Sequence, residues 1–170
     1  GLSGGGSRGA AHVGVLQAFT EAGIEPEVIA GTSAGAIVGA LYGSGMGTDE
    51  MMDFIRSSSL LKAYKLGFPS NGITPFTFLR DKLAELIAVD SFEALRLPLH
   101  VATTNLESGQ LQVFNSGPLF RVIQAAGSIP LLFKPVEING EWHLDGGAMN
   151  NFPVQCIRAD CEVLVGVNVM

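Results

Sequence analysis

Apolar positions recur along the chain in two rhythms, one of helical spacing and one of short, nearly unbroken runs. Within residues 10–22, Val15, Leu16 and Phe19 fall on one helical face and Gly23 supplies the stop. Val28, Ile29 and Ala30 form an apolar run suited to a short buried parallel strand, and Ala34, Ile37, Val38 and Leu41 follow at once at helical spacing. Residues 49–56 predict another helix. Thr74 and Pro75 open an amphipathic helix reaching about residue 89, with Leu79, Leu83, Leu86 and Ile87 opposite Arg80, Asp81, Lys82 and Glu85. Residues 97–105 and 111–115 read as the strands of a hairpin joined through Glu107, Ser108 and Gly109. Pro118 starts a helix to about Gly127, an apolar loop pinned by Pro130 and Pro135 follows, and residues 136–144 turn through Asn139 and Gly140 as a second hairpin. Residues 163–169 predict a last buried strand. Residues 60–78 mix Leu60, Leu61, Leu66, Phe68, Ile73, Phe76 and Phe78 with glycine, proline and serine. Local core packing is the favoured reading of that stretch, and a lid or lipid-contacting rim is the functional alternative.

This order of elements, with no internal repeat or low-complexity linker, predicts a single α/β domain over residues 1–170. The chain opens abruptly at Gly1 against a glycine-rich loop and closes just after an apolar run, so it is expected to be truncated at its start and possibly at its end. Hydrophobic residues make up 47% and charged residues 15%, and a mean hydropathy of +0.35 fits a parallel sheet covered on both faces and excludes disorder. A net charge of −6 leaves no basic footprint, which excludes nucleic acid as a partner and makes any membrane contact an apolar one. Cys156 and Cys161 have neither zinc-site nor disulfide-framework spacing and read as buried thiols. No signal peptide is visible, and a cytoplasmic or peripheral membrane location is expected.

The uncharged stretch from residue 28 to 48 is too rich in glycine, serine and threonine for a membrane span. Its Gly31-Thr32-Ser33-Ala34-Gly35 sequence instead reads as a turn between strand and helix, which lifts a serine hydroxyl clear of the backbone at a helix N-terminus. Ser33 is thus the candidate nucleophile, with Gly31 and Gly35 permitting the tight geometry. Gly35, Gly39 and Gly43, four residues apart, predict a flat helix face lying close to the sheet. The earlier run Gly4-Gly5-Gly6-Ser7-Arg8-Gly9 opens the first helix and matches a dinucleotide-binding fingerprint, but Glu25 and Glu27 precede the second strand, where no ribose-binding acid belongs. The same amides make an anion nest that suits an oxyanion equally well.

The base that must serve Ser33 stays open on these residues. His12 lies on the apolar face of its helix, and His100 alternates along a strand without a partner. His143 could complete a triad but sits within a hairpin strand, where a structural role is favoured. Asp145, followed by Gly146 and Gly147, could act directly.

The order GGGSRG, GTSAG and DGG, with Ala126-Gly127-Ser128-Ile129-Pro130 and Asn150-Asn151-Phe152-Pro153 around the last, resembles the patatin-like phospholipases over essentially the whole chain. The resemblance implies a three-layer α/β/α sandwich with a mainly parallel central sheet, and hydrolysis of lipid acyl esters at a membrane or micelle surface without metal or organic cofactor. It implies a Ser33–Asp145 dyad without histidine, an oxyanion hole from the amides of Gly5 and Gly6, and Arg8 as a nearby positive charge. Gly4, Gly9, Gly31, Gly35, Gly146 and Gly147 are the supporting glycines. The strand leading into the glycine loop is reduced here to Gly1-Leu2-Ser3. Rival readings are a nucleotide-binding module, which would leave Ser33 idle, a histidine-dependent acyltransferase, whose downstream base neither His100 nor His143 is read as supplying, and a catalytically silent lipid-binding protein.

Overall fold

A computed structural model describes residues 1–57 and 76–170. Its centre is a sheet whose parallel part pairs β1 (Ile29–Thr32) with β2 (Leu99–Asn105), Ile29 opposite Leu99 and Thr32 opposite Ala102. That parallel part continues through Leu2, which bridges Gly31 on one side and Val167 on the other. Antiparallel hairpins extend the other side. β3 (Leu111–Phe114) pairs with β2, β5 (Glu141–Asp145) sets Asp145 opposite Thr103 of β2, and β4 (Val136–Ile138) pairs with β5. The turn between β4 and β5 holds Asn139 and Gly140 both at positive φ, 53° and 88°, the conformation that the Asn-Gly pair predicts for a two-residue hairpin loop.

Helices cover the sheet because their apolar faces have nowhere else to go. α1 (Ala10–Glu21) buries His12, Val13 and Leu16, and α2 (Ala34–Gly43) is buried along almost its whole length against β1 and β2. α3 (Thr48–Ser57) packs on α1 through a strongly one-sided face that includes the buried Met51 and Phe54. Asp49 and Glu50 stand in its first turn and Arg56 in its last, matching the helix dipole at both ends. α4 (Thr77–Leu86) lies on α5 (Leu119–Ala126), which covers β2, β4 and β5. The Asp90 carboxylate accepts the Phe120 amide at 2.7 Å and so caps α5.

The α/β fold class, the two hairpins and the five helices follow the hydrophobic pattern. Gly35 is the position where helix and sheet come closest: an added Cβ would meet the Leu2 carbonyl. Gly39 likewise faces Leu99 and Ile29, whereas a Cβ at Gly43 would make ordinary contacts with Leu95, so the flat helix face is confined to its first two glycines.

Three expectations need correction. Residues 163–169 form no buried strand: Val163 is 80% and Val165 46% exposed, and the segment makes a single β-bridge, at Val167. Cys156 and Cys161 are half-buried rather than buried, the Cys161 thiol donating to the Ile157 carbonyl at 2.9 Å. Leu86, assigned to the apolar face of α4, is 39% exposed, although Leu79, Leu83 and Ile87 are buried as that face requires. Most of the proposed lid stretch and the predicted helix start at Thr74 and Pro75 lie outside the described residues. The end of the stretch returns to the core, where Phe76 stacks on Phe133 at 4.2 Å between ring centroids.

Candidate active site

β1 ends at Thr32 and α2 begins at Ala34, so Ser33 alone makes the turn between them. It does so at φ 53° and ψ −121°, a strained conformation for a residue with a side chain. The Ser33 carbonyl still accepts the Ala36 and Ile37 amides at 3.0 and 3.1 Å, which joins the turn to the helix. Its hydroxyl caps nothing and is left for another partner. Gly31 belongs to the same device: a Cβ there would meet the backbone of Gly35 and Ala36 at 2.6 Å, so the helix could not turn back over the strand.

Asp145 stands beside Ser33, at the end of β5. The Ser33 hydroxyl is close enough to its carboxylate to favour the charged form, and that carboxylate accepts the Gly147 amide at 2.8 Å. The backbone around it is fixed from both sides. Its amide donates to the Ser128 carbonyl at 3.0 Å, and its carbonyl accepts the Thr104 hydroxyl at 3.0 Å. Gly146 lets the chain turn away immediately, since a Cβ there would strike the Ala102 carbonyl of β2. Ser33 and Asp145 are each only 4% exposed. Burial pushes the Asp145 carboxyl up from 3.8 to about 6, and the Ser33 hydroxyl and the Gly147 amide only partly offset that. The result is a carboxylate that is charged at neutral pH yet basic enough to take a proton.

The glycine loop borders the same serine. A Cβ on Gly4 would lie 3.1 Å from the Ser33 Cβ, and one on Gly9 would lie 2.6 Å from the Ala34 Cβ, so residues 4–9 are pressed against the elbow. Gly6 starts a 3-10 turn (Gly6–Gly9) at φ 55°, with open space where a side chain would stand. Among the described residues, the amides of Gly5, Gly6 and Ala34 donate to no protein group. Three free N–H groups on the loop and the helix start that meet at the elbow, one of them opening a helix, are suited to an anion that develops during reaction. Arg8 is exposed in the 3-10 turn, and no ion pair engages it among the described residues.

The histidines fall elsewhere. His12 is fully buried, its Nε2 2.8 Å from the Ser3 carbonyl, and desolvation pushes its pKa down. A carbonyl can only accept, so Nε2 carries a proton. His143 is also fully buried, with Nδ1 3.1 Å from the Thr103 hydroxyl, its ring edge-on to Phe114 and its pKa lowered by desolvation. Its Nε2 has no partner, and the hydrogen bond to the Asp145 carboxylate comes from Gly147 instead. The structure thus brings Ser33 close to Asp145 and leaves His143 in the packing between β5 and β3.

Sequence reasoning missed the residues that hold these groups in place. Thr104 and Ser128 fix the Asp145 backbone, and Asn151 exchanges two hydrogen bonds with Gly4, giving its carbonyl to the Gly4 amide at 2.9 Å and its side-chain amide to the Gly4 carbonyl at 3.3 Å. The Asn150-Asn151-Phe152-Pro153 stretch was visible as a motif without a role. Its spacing of six residues after Asp145 was the available signal.

A family model described as patatin-like phospholipase matches residues 2–155. An uncharacterized NTE family protein of Mycobacterium bovis is 32% identical, the match covering 98% of this chain and 48% of that protein. The lysophospholipase NTE1 of Coccidioides immitis is 31% identical over 99% of this chain and 11% of its own length. The chain therefore spans about half the length, or much less, of the curated relatives it matches. Among solved structures, VipD of Legionella pneumophila superposes with a TM-score of 0.68 at 17% identity, covering 89% of this chain and 46% of VipD. That likeness concerns the fold. No described helix is long and apolar enough to cross a membrane.

Proposed function

The chain belongs to the patatin-like phospholipase family, and from that membership we propose that it hydrolyses lipid acyl esters of the phospholipase A or lysophospholipase type, with Ser33 as nucleophile and Asp145 as its base. The observation that carries the reading is the Ser33 hydroxyl set beside a buried carboxylate whose charged form it favours, with the unpaired amides of Gly5 and Gly6 on the loop that presses against the elbow. As the Ser33 oxygen attacks the ester carbonyl, its proton passes to Asp145 and the carbonyl oxygen becomes an anion held by those amides. Collapse of the tetrahedral intermediate breaks the bond to the alcohol, which takes the proton from Asp145 and leaves an acyl-enzyme. Water then attacks the acyl carbon, gives its proton to Asp145 and releases the fatty acid. Serine regains that proton as it leaves.

The lysophospholipase name of the fungal relative supports a lipid ester as the substrate. The exposed Arg8 in the glycine loop suits a phosphate carried by that lipid, and a membrane or micelle surface is where such a substrate is met. Fluorophosphonate labelling followed by intact mass tests the assignment. One adduct on the wild-type chain and none on Ser33→Ala is the expected result. An adduct that persists in Ser33→Ala, or an unlabelled wild type that binds nucleotide saturably, would overturn it.

A further inference from the structure

Asn151 stands where the two halves of the site meet. It is separated from Gly4 by 147 positions in the chain, yet its main-chain carbonyl accepts the Gly4 amide at 2.9 Å and its Nδ2 donates to the Gly4 carbonyl at 3.3 Å. Both polar groups of the Gly4 backbone are therefore committed to one residue. The contact is tight as well as polar, for a Cβ on Gly4 would run into the Asn151 Oδ1, and on its other side would stand 3.1 Å from the Ser33 Cβ. The same Oδ1 faces the aspartate turn. The place a Gly147 Cβ would occupy lies 2.9 Å from the Asn151 Oδ1 and 3.1 Å from the Asp145 Oδ1, so these two oxygens are no more than about 6 Å apart. Gly147 is also the residue whose amide holds Asp145.

We propose that Asn151 is a positioning residue that clasps the glycine loop to the aspartate turn, setting the distance between the free amides of residues 5 and 6 and the Ser33–Asp145 pair. The inference rests on the hydrolase reading above. Nothing else among the described residues bonds the Gly4 backbone except the Ser3 hydroxyl, which also donates to the Gly4 carbonyl, at 2.8 Å. That contact comes from the neighbouring residue and cannot fix the loop against β5. A loop freed by loss of the clasp would still admit substrate but would present its amides to the oxyanion in poorer register, an effect confined to the transition state.

The test uses the intact chain with a soluble chromogenic ester. Asn151→Ala is expected to lower kcat by about 10- to 100-fold, with KM within about twofold of wild type. Asn151→Asp keeps the shape and the main-chain bonds, loses the donor to Gly4 and adds a negative charge near Asp145. It is expected to move the acid limb of the pH–rate profile upward by about one unit, which Asn151→Ala does not do. A wild-type kcat in Asn151→Ala, a change in KM alone, or an unmoved acid limb in Asn151→Asp overturns the proposal. Should Asn151→Ala fail to fold, the pH profile of Asn151→Asp decides alone. A wild type without esterase activity or fluorophosphonate labelling sinks this inference together with the hydrolase reading, whereas an active wild type beside an unaltered Asn151→Ala sinks this inference only.

Discussion

Two turns carry the candidate site, and they hold their reactive groups at different kinds of cost. At the elbow the cost is conformational: Ser33 sits at φ 53° between a fully buried strand and a fully buried helix start. At the aspartate turn the cost is electrostatic. Asp145 has ordinary backbone angles, φ −49° and ψ 128°, but its carboxylate is buried and its pKa is pushed up to about 6. The difference follows from what each group must do. A nucleophile needs its oxygen aimed, which geometry alone provides, while a base needs raised proton affinity, which burial provides.

Removing the aimed oxygen is the most severe way to break this comparison. Ser33→Ala should lower kcat/KM for a chromogenic ester by at least about 10³-fold with the circular dichroism spectrum unchanged, since alanine fits the same turn. The glycine loop sharpens the picture with a smaller effect. Gly6→Ala puts a Cβ into open space but at φ 55°, so the loop must shift, and kcat should fall about 10²-fold with little change in KM. A pure KM effect would point to a ground-state anion site instead.

The electrostatic side predicts a pH dependence. Asp145 acts when deprotonated, so kcat/KM should fall as pH drops, with an apparent pKa of about 6 on the acid limb. An acid limb at about 4 would mean that the working carboxylate is not a buried one. Stability separates the two costs most finely. Because the folded-state pKa of Asp145 lies above 3.8, the folded state binds the proton more tightly. The stability from that proton is fully present below about pH 4 and is lost as pH rises through about 6. Asp145→Asn should therefore raise Tm above pH 6, on the order of 10 °C for a penalty of about 3 kcal/mol, and the gain should vanish in acid. Ser33→Gly should raise Tm by a smaller amount, about 2 to 4 °C, at pH 4, where Asp145 is protonated and only backbone strain is relieved, and by less at pH 8, where the charged carboxylate loses the hydroxyl. Thermal melts at pH 4 and pH 8 check both.

How far the sequence revealed these features depended on range. Local signals were plain: 3.6-residue periodicity marked α1 and α2, Asn139 and Gly140 marked the β4–β5 turn, and the glycines around Ser33 marked the elbow, because each is determined by a few adjacent residues. The three ordered motifs then linked Ser33 to Asp145 through family resemblance. Spacing alone had left His143 and Asp145 both open, and only the pairing of β5 with β2 shows which of them faces the elbow. Asn151 was hidden for the same reason, its contact with Gly4 arising from tertiary closure.

The central claim is that Asp145 takes the Ser33 proton without an intervening histidine. It is tested most directly by measuring kcat/KM on one short-chain ester for Asp145→Asn and His143→Ala side by side, with folding verified. The asparagine keeps the hydrogen bonds but cannot accept the proton, so it should lose nearly all activity, while His143→Ala should stay within about tenfold of wild type. A folded but inactive His143→Ala beside a partly active Asp145→Asn would contradict the dyad and restore a triad.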